Sequence, residues 1–412
     1  MSFGGIVSMD KDRQILRELA KKVLEISQSE VNAERAEAWK KHNDLRMGSR
    51  TMIFCDPEKA WEELIPQQAL QCEKAENRSL ETALRREIYH YEILRDDYVV
   101  AAEMPVFYKY SCSDWGLHET VQSSSEDGAY TWESPLKDYS MLDRLKTPVV
   151  TVDEEGTKRE LSRVQELFGD ILQVRLRGYW WWSLGMTSTV IRLRGLEQFM
   201  LDMYDEPEGL HALMKIIQKG ILENLAIYEE KNLLTTNADH TYVGSGGFGF
   251  TDGLSRAEPV RMKNMWGFSE SQETSSVSAE MYGEFVFPYE MEILEKFGLN
   301  CYGCCEPLEN KWEYIRRFPR LRRVSVSPWA NRQKMAEQLG SGYVYSLKPN
   351  PAYISVRSEL FDDAARELAA AREATKKNGC FTEIIMKDLR TFCGAPGNAA
   401  RWVRLARSIF PD

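Results

Sequence analysis

No run of about eighteen apolar residues occurs anywhere in the 412-residue chain, so the sequence offers no membrane-spanning helix. Basic residues are in deficit. The chain has 53 Lys and Arg against 63 Asp and Glu, a formal charge of -10, and a surface of that sign repels phosphate backbones and anionic lipid heads. Neither nucleic acid nor a membrane is an expected partner. Eight cysteines are too few for a disulfide scaffold at this length, which predicts free thiols or ligands in a reducing compartment. Residues 1–9 carry no basic stretch and run into Asp10, Lys11, Asp12 and Arg13, unlike a signal peptide, so the cytoplasm is the expected location. Internal repeats and low-complexity tracts are missing too, which sets aside solenoids and disordered arms.

What is present is enough apolar material for a large core, 43% hydrophobic and 11% aromatic. Ile15, Leu16, Leu19, Val23 and Leu24 recur at spacings of three and four, and residues 80–94 repeat the rhythm, which predicts a helical N-terminal layer over residues 1–95. After that the pattern changes to short β-rich runs at 98–102, 172–176, 233–236, 299–302, 323–326, 343–347 and 381–386. Amphipathic helices separate them, among them 208–229 opened by Pro207, 279–297 capped by Ser278, and 359–377 after Ser358. Polar 137–143 and 153–160 read as a surface insertion. Strands alternating with helices of this length pair in parallel, and near-eightfold alternation predicts an α/β fold of the (β/α)8 TIM-barrel type over 96–412. Chemistry in such a barrel belongs at the carboxyl ends of the strands.

Asn300-Cys301-Tyr302-Gly303-Cys304-Cys305-Glu306-Pro307 follows a strand directly, which places thiols at the expected mouth. Thiolates there serve as metal ligands or nucleophiles, although small cysteines can also fill a tight strand end. Cys393, in Thr391-Phe392-Cys393-Gly394, lies between the last strand and the final helix. Of five histidines, His240 beside Asp239 in a loop is the candidate base or ligand, with a solvated bystander as the alternative. Tyr179, Trp180, Trp181 and Trp182 follow a strand, and at least one could line a pocket for a flat ligand. Gly244-Ser245-Gly246-Gly247-Phe248-Gly249 has the GxGxxG spacing without a clear strand before it or helix after it, and so reads as a flexible loop over the mouth rather than a dinucleotide site. Its Phe248 and Phe250 are expected to be exposed.

Gly195-Leu196-Glu197-Gln198-Phe199, Asp202-Met203-Tyr204-Asp205-Glu206-Pro207-Glu208, Phe285-Val286-Phe287-Pro288-Tyr289, Phe297-Gly298, Met335-Ala336-Glu337-Gln338-Leu339-Gly340 and Leu347-Lys348-Pro349-Asn350-Pro351 occur in that order. Together they resemble the uroporphyrinogen decarboxylase superfamily of (β/α)8 barrels, over roughly residues 135–412. The Arg-rich N-terminal motif of its decarboxylases is absent. Where those enzymes carry a Gly-His-Gly turn, this chain has Phe392-Cys393-Gly394, at the place where the cobamide-dependent methyltransferases put a zinc-binding cysteine. The resemblance therefore implies a corrinoid-dependent methyltransferase of the O-demethylase type. It would move a methyl group from a small donor, such as an aromatic methyl ether, to the corrinoid of a partner protein, with zinc on Cys304, Cys305 and Cys393. The methyltransferases' His-x-Cys-Gly turn corresponds to Tyr302-Gly303-Cys304-Cys305 or, one residue along, to Gly303-Cys304-Cys305-Glu306, and its histidine is missing here. His240 and Glu306 are the expected catalytic groups, and Tyr179 to Trp182 with Phe248 and Phe250 the expected substrate contacts. The alternative is a decarboxylase of a carboxylated tetrapyrrole, which needs a cationic cluster at the mouth and no metal.

Overall fold

In chain order the strands are β1 (Met52–Cys55), β2 (Glu103–Phe107), β3 (Tyr110–Cys112), β4 (Thr120–Ser123), β5 (Tyr130–Glu133), β6 (Val150–Val152), β7 (Gln173–Arg177), β8 (Trp266–Ser269), β9 (Leu299–Tyr302), β10 (Leu321–Val326), β11 (Val344–Leu347) and β12 (Phe381–Met386). The computed structural model describes residues 4–123, 130–356 and 360–411. Six strands form one parallel sheet in the order β1-β12-β11-β10-β9-β8, and β2 pairs in parallel with β7. Among the described residues no ladder joins these two groups, so the expected closed ring is not completed as one continuous ladder. Single hydrogen bonds lie in the gaps. Asp97 N donates to Ile53 O at 2.8 Å, and the Asn237 side chain both accepts from Trp266 N and donates to Trp266 O at 2.9 Å. Residues 98–102 and 233–236, expected as strands, lie outside any ladder.

The N-terminal 95 residues are not purely a helical layer, because β1 lies within them and pairs with β12 in the register Met52↔Glu383 to Cys55↔Met386. Its four residues, Met-Ile-Phe-Cys, are buried on both faces and so show no alternation by which a strand is recognised. Around it the layer is helical as expected. In α1 (Gly4–Ser27), Leu16, Ala20, Val23 and Ile26 form one buried face, which packs with Leu84 and Phe168. In α2 (Glu30–Asn43), the Ser29 hydroxyl caps the first turn by accepting from Asn32 N.

Later helices follow the expected boundaries with local exceptions. Pro207 opens Pro207–Glu230. The segment after Ser278 is two helices, Ala279–Phe285 and Phe287–Leu294, because Pro288 has no N–H for a continuous ladder. Phe361–Lys377 matches the helix expected after Ser358, while Ser358 and Glu359 lie outside the described residues. The 153–160 stretch, expected as part of a surface insertion, opens the helix Glu154–Phe168, which Asp153 caps and whose Val164 and Phe168 pack in the same core as Met104 and Val106. No helix of the described residues is long and apolar enough to cross a membrane.

Alternation along the strands divides the side chains into two sets. Ile53, Tyr302, Val324, Val326, Tyr345, Leu347, Ile384 and Met386 join the large apolar core with the helices, including Phe287, Ile293, Leu368 and Trp402. The alternate set belongs to other groups. Met52, Phe54 and Ile385 cluster with Trp39 and Phe248, and Trp266, Phe268 and Cys301 with Val243. Between them sits a buried polar group in which Arg323 Nε lies 3.0 Å from Glu383 Oε1 and His42 Nε2 3.2 Å from Glu383 Oε2. Burial would raise the Glu383 pKa, but Arg323, His42 and Lys348 outweigh that and hold it at about 2.

The glycine-rich segment is part of this inner filling and does not form an exposed lid. Residues 241–249 fold back on themselves, with Val243 N bonded to Gly247 O and Gly249 N to Thr241 O. A Cβ on Gly247, whose φ is +87°, would come within 2.6 Å of Arg323 and 2.8 Å of Glu383. The Asn43 side chain at the end of α2 donates to Phe248 O and Phe250 O at 2.7 and 2.8 Å. Phe248 is 2% exposed and meets Phe54, Trp39 and Tyr98 edge-on, so its expected exposure is corrected to a core position. Phe250 is half-buried beside it.

Candidate active site

Two features meet at the carboxyl ends of the strands. The first is a thiol pair. Gly303, at φ +90°, turns the chain after β9 and presents Cys304 and Cys305, whose sulfurs are 3.5 Å apart. Directly after β12, Lys387 Nζ lies 3.5 Å from Cys304 Sγ, and Asp388 Oδ2 lies 4.0 Å from Cys305 Sγ. Cys304 is buried and Cys305 partly exposed. The hydrogen bond between the two thiols raises the pKa of Cys304 and lowers that of Cys305, so the pair gives up its first proton more easily than its second. Burial works against the charge on Lys387, but Cys304, Asp388 and Cys305 outweigh it and keep the ammonium charged.

Glu306 is fully buried beneath the pair. It accepts from Ser271 N at 3.0 Å and Cys304 N at 2.9 Å, tying the turn after β8 to the turn after β9. Glu270, also after β8, is pushed up to about 8 by burial and by the neighbouring Glu306 and Glu273 carboxylates.

The second feature is an aromatic cavity of about 390 Å3, a volume suited to a small molecule. Tyr179, Trp180, Trp181 and Trp182 form one wall, with Tyr98, Phe107, Tyr242, Trp266 and Phe268 around it. Gly178 permits the turn after β7, since a Cβ there would lie 2.5 Å from Trp180 Nε1. Trp180 stacks on Tyr228 at 5.0 Å and donates to Leu233 O, while Trp182 meets Phe268 edge-on at 5.3 Å. Three residues lining the cavity, Val243, Trp266 and Phe268, share one apolar cluster with Cys304, and Lys387 lies 6.0 Å from the centre of the Trp182 ring. The thiol pair is therefore linked to the cavity through Lys387 and Trp182.

Among the described residues Arg177 is the one Lys or Arg that lines the cavity, and it is occupied. Its Nε and Nη2 bond to Glu103 at 2.7 and 3.1 Å, Nη2 also to Asp239 at 2.9 Å, and Nη1 to Thr236 O at 2.9 Å. His240 lines the same cavity, with Nε2 3.9 Å from Glu103 Oε1. Burial lowers its pKa against the pull of Asp239 and Glu103, leaving a neutral imidazole at pH 7. Glu87, which also lines the cavity, accepts from Tyr98 Oη at 2.5 Å, and burial raises it to about 7.

The structure thus brings together Cys304, Cys305 and Glu306, and separately His240 with residues 179–182. Phe248 and Phe250 do not line the cavity; Tyr242, Val243 and Gly244 of the same segment do. Cys393 stands on an exposed loop organised by Glu63, which accepts from Phe392 N and Gly394 N, and its own sulfur donates to Ser355 O at 2.9 Å. Cys301 faces Arg323 and is raised to about 11 by burial. Among the described residues no three His, Cys, Asp or Glu side chains converge as metal ligands. Two adjacent thiols beside an ammonium are not a zinc site, which needs about three protein ligands at least. The expected set of Cys304, Cys305 and Cys393 is therefore not assembled.

No family model and no curated protein matches the sequence. A solved structure does. A methyltransferase from Methanosarcina mazei superposes with a TM-score of 0.50 at 8% identity, covering 91% of this chain and 98% of that one. At that identity the likeness is one of fold.

Glu87, Glu270, Lys387 and Asp388 carry no sequence motif. For Lys387 and Asp388 a usable signal was present, since they follow the last strand as the thiols follow β9. Glu87 and Glu270 become unusual only through the burial that the fold imposes on them.

Proposed function

We propose that this chain is a methyltransferase whose methyl donor occupies the aromatic cavity and whose acceptor, a corrinoid carried by a second protein, approaches from the open rim. One observation carries the reading: Lys387, 3.5 Å from Cys304, lies 6.0 Å from the ring centre of Trp182, which lines the aromatic cavity. The activity named for the structural neighbour and the resemblance of the sequence to the methyltransferase branch agree with it. Tyr179 and Trp180 to Trp182 hold the donor by stacking and exclude water from the reacting methyl group. Glu306 positions the Cys304 turn, and neutral His240, fixed against Arg177 and Glu103, can take a hydrogen bond or a proton at the cavity wall. Because the residues present do not form a zinc site, no step is routed through a metal.

The decarboxylase alternative requires free cations facing the substrate's carboxylates, and Arg177 already pairs with two carboxylates of its own chain.

The test is to incubate the purified protein with cob(I)alamin and candidate methyl donors while following methylcob(III)alamin by absorbance. Transfer that falls about tenfold or more in Trp181→Leu supports the reading. Absence of transfer together with carbon dioxide release from uroporphyrinogen would replace it with the decarboxylase.

A further inference from the structure

The charge inside the cavity is unbalanced. Arg177, with Arg175 on the outer side of Glu103, balances Glu103 and Asp239, so the charge left over is that of Glu87. Glu87 has the Tyr98 hydroxyl as a hydrogen-bond donor and, among the described residues, no lysine or arginine as an ion partner. A carboxylate enclosed in this way is costly unless something cationic joins it. The surrounding walls are tryptophan and tyrosine, the ring faces that attract a cation most strongly.

We propose that the cavity binds an organic cation, with a methylated ammonium or sulfonium head caged by Tyr179, Trp180, Trp181 and Trp182 and paired with Glu87. The proposal rests on the methyl-transfer reading and names the class of its donor. A neutral aromatic ether would stack on the same walls but would leave Glu87 unpaired, and a carboxylated ring would add negative charge to a wall that already carries it. A cationic donor also brings its own activation. The electron pair of the acceptor, cob(I)amide or thiolate, forms the new bond to the methyl carbon while the carbon–nitrogen bond breaks and its pair returns to nitrogen. The leaving group is then a neutral amine, with no oxyanion to stabilise, and a site that selects a cation releases it.

The experiment is a tryptophan-fluorescence titration of the full chain, without any acceptor, using choline, its uncharged isostere 3,3-dimethylbutan-1-ol, and 4-methoxybenzoate. Choline should bind about tenfold or more tighter than the isostere, and 4-methoxybenzoate should bind weakest. Glu87→Gln should reduce that preference to below about threefold. Trp182→Leu, at a side chain 43% exposed on the rim where folding is not at stake, should do the same. Equal affinity for choline and the isostere, tighter binding of 4-methoxybenzoate, or no saturable binding of choline overturns the proposal. Selective binding of choline without methyl appearing on cob(I)alamin from any donor would sink the methyl-transfer reading and leave the cation site standing. Transfer from a neutral ether with no preference for cations would do the reverse.

Discussion

Lys387 Nζ lies 3.5 Å from Cys304 Sγ, so an ammonium from the end of the last strand faces a thiol from the turn after β9. The second sulfur, 3.5 Å further on, shares a hydrogen bond with Cys304 and gains thiolate character from it.

That pairing should be visible in reactivity. At pH 7 iodoacetamide should label Cys305 about three- to tenfold more slowly in Cys304→Ala than in the parent chain, because the hydrogen bond that lowers its pKa is gone. Peptide mapping by mass spectrometry over a time course reads the rate at Cys305 separately from exposed Cys112 and Cys393. An unchanged rate would remove the coupling of the two thiols.

The inner ionic group makes stability depend on acid. Glu383 is held at about 2, below an unfolded carboxylate, so its contribution is fully present above about pH 4.5 and is lost as the pH falls toward 2. Glu383→Gln leaves Arg323 buried without its counter-charge and should cost about 3–5 kcal/mol at pH 7. It should also flatten the acid limb of the unfolding curve, measured by denaturant titration from pH 7 down to pH 3.

Gly247→Ala adds a Cβ at a positive φ, within 2.6 Å of Arg323 and 2.8 Å of Glu383. A loss of about 2–3 kcal/mol is expected from the overpacking and backbone strain together. Gly379→Ala, at φ +65° with open space around it, should cost only about 1 kcal/mol. Thermal unfolding of the two variants gives the difference directly, and equal losses would mean that segment 241–249 is not packed inside the sheet.

Binding of a cation in the cavity should strengthen with pH. Burial raises Glu87 to about 7, partly opposed by the Tyr98 hydroxyl and by His90, so the carboxylate that pairs with a cation accumulates only as the pH rises through that value. His240, lowered by burial, is already neutral there, and Arg177 stays charged throughout. Choline affinity should therefore climb between pH 6 and 8, on the order of tenfold, and the slope should vanish in Glu87→Gln.

Much of the frame is legible in the sequence, and its gaps have physical causes. Strands 299–302 and 381–386 coincide with the expected runs, because flanking turns and a change of period mark them. β9 and β12 are buried throughout as β1 and β8 are, but each comes just after an α-helix whose period ends where the strand begins, and no α-helix runs up to β1 or β8. Cys304 and Cys305 are visible by their proximity to a strand end, whereas the pKa values of Glu87 and Glu270 arise from neighbours far away in sequence. Gly244–Gly249 is misread for a different reason. Glycine provides freedom in a solvated loop and closeness in a packed interior, and the letters are the same. Only the contacts with Arg323, Glu383 and Lys348 decide between them.

The pairing of β1 with β12 also sets the order in which this molecule can be made. Met52–Cys55 leaves the ribosome roughly three hundred residues ahead of the strand that completes it, a span that makes the last pairing the slowest to find. Until Phe381–Met386 emerges, β1 has no ladder partner, and α2 holds out His42 toward a carboxylate that does not yet exist. During synthesis the N-terminal helices therefore act as a waiting half of the structure, exposed to chaperones and proteases, and the closing strand delivers its own edge and Glu383 to them in one event.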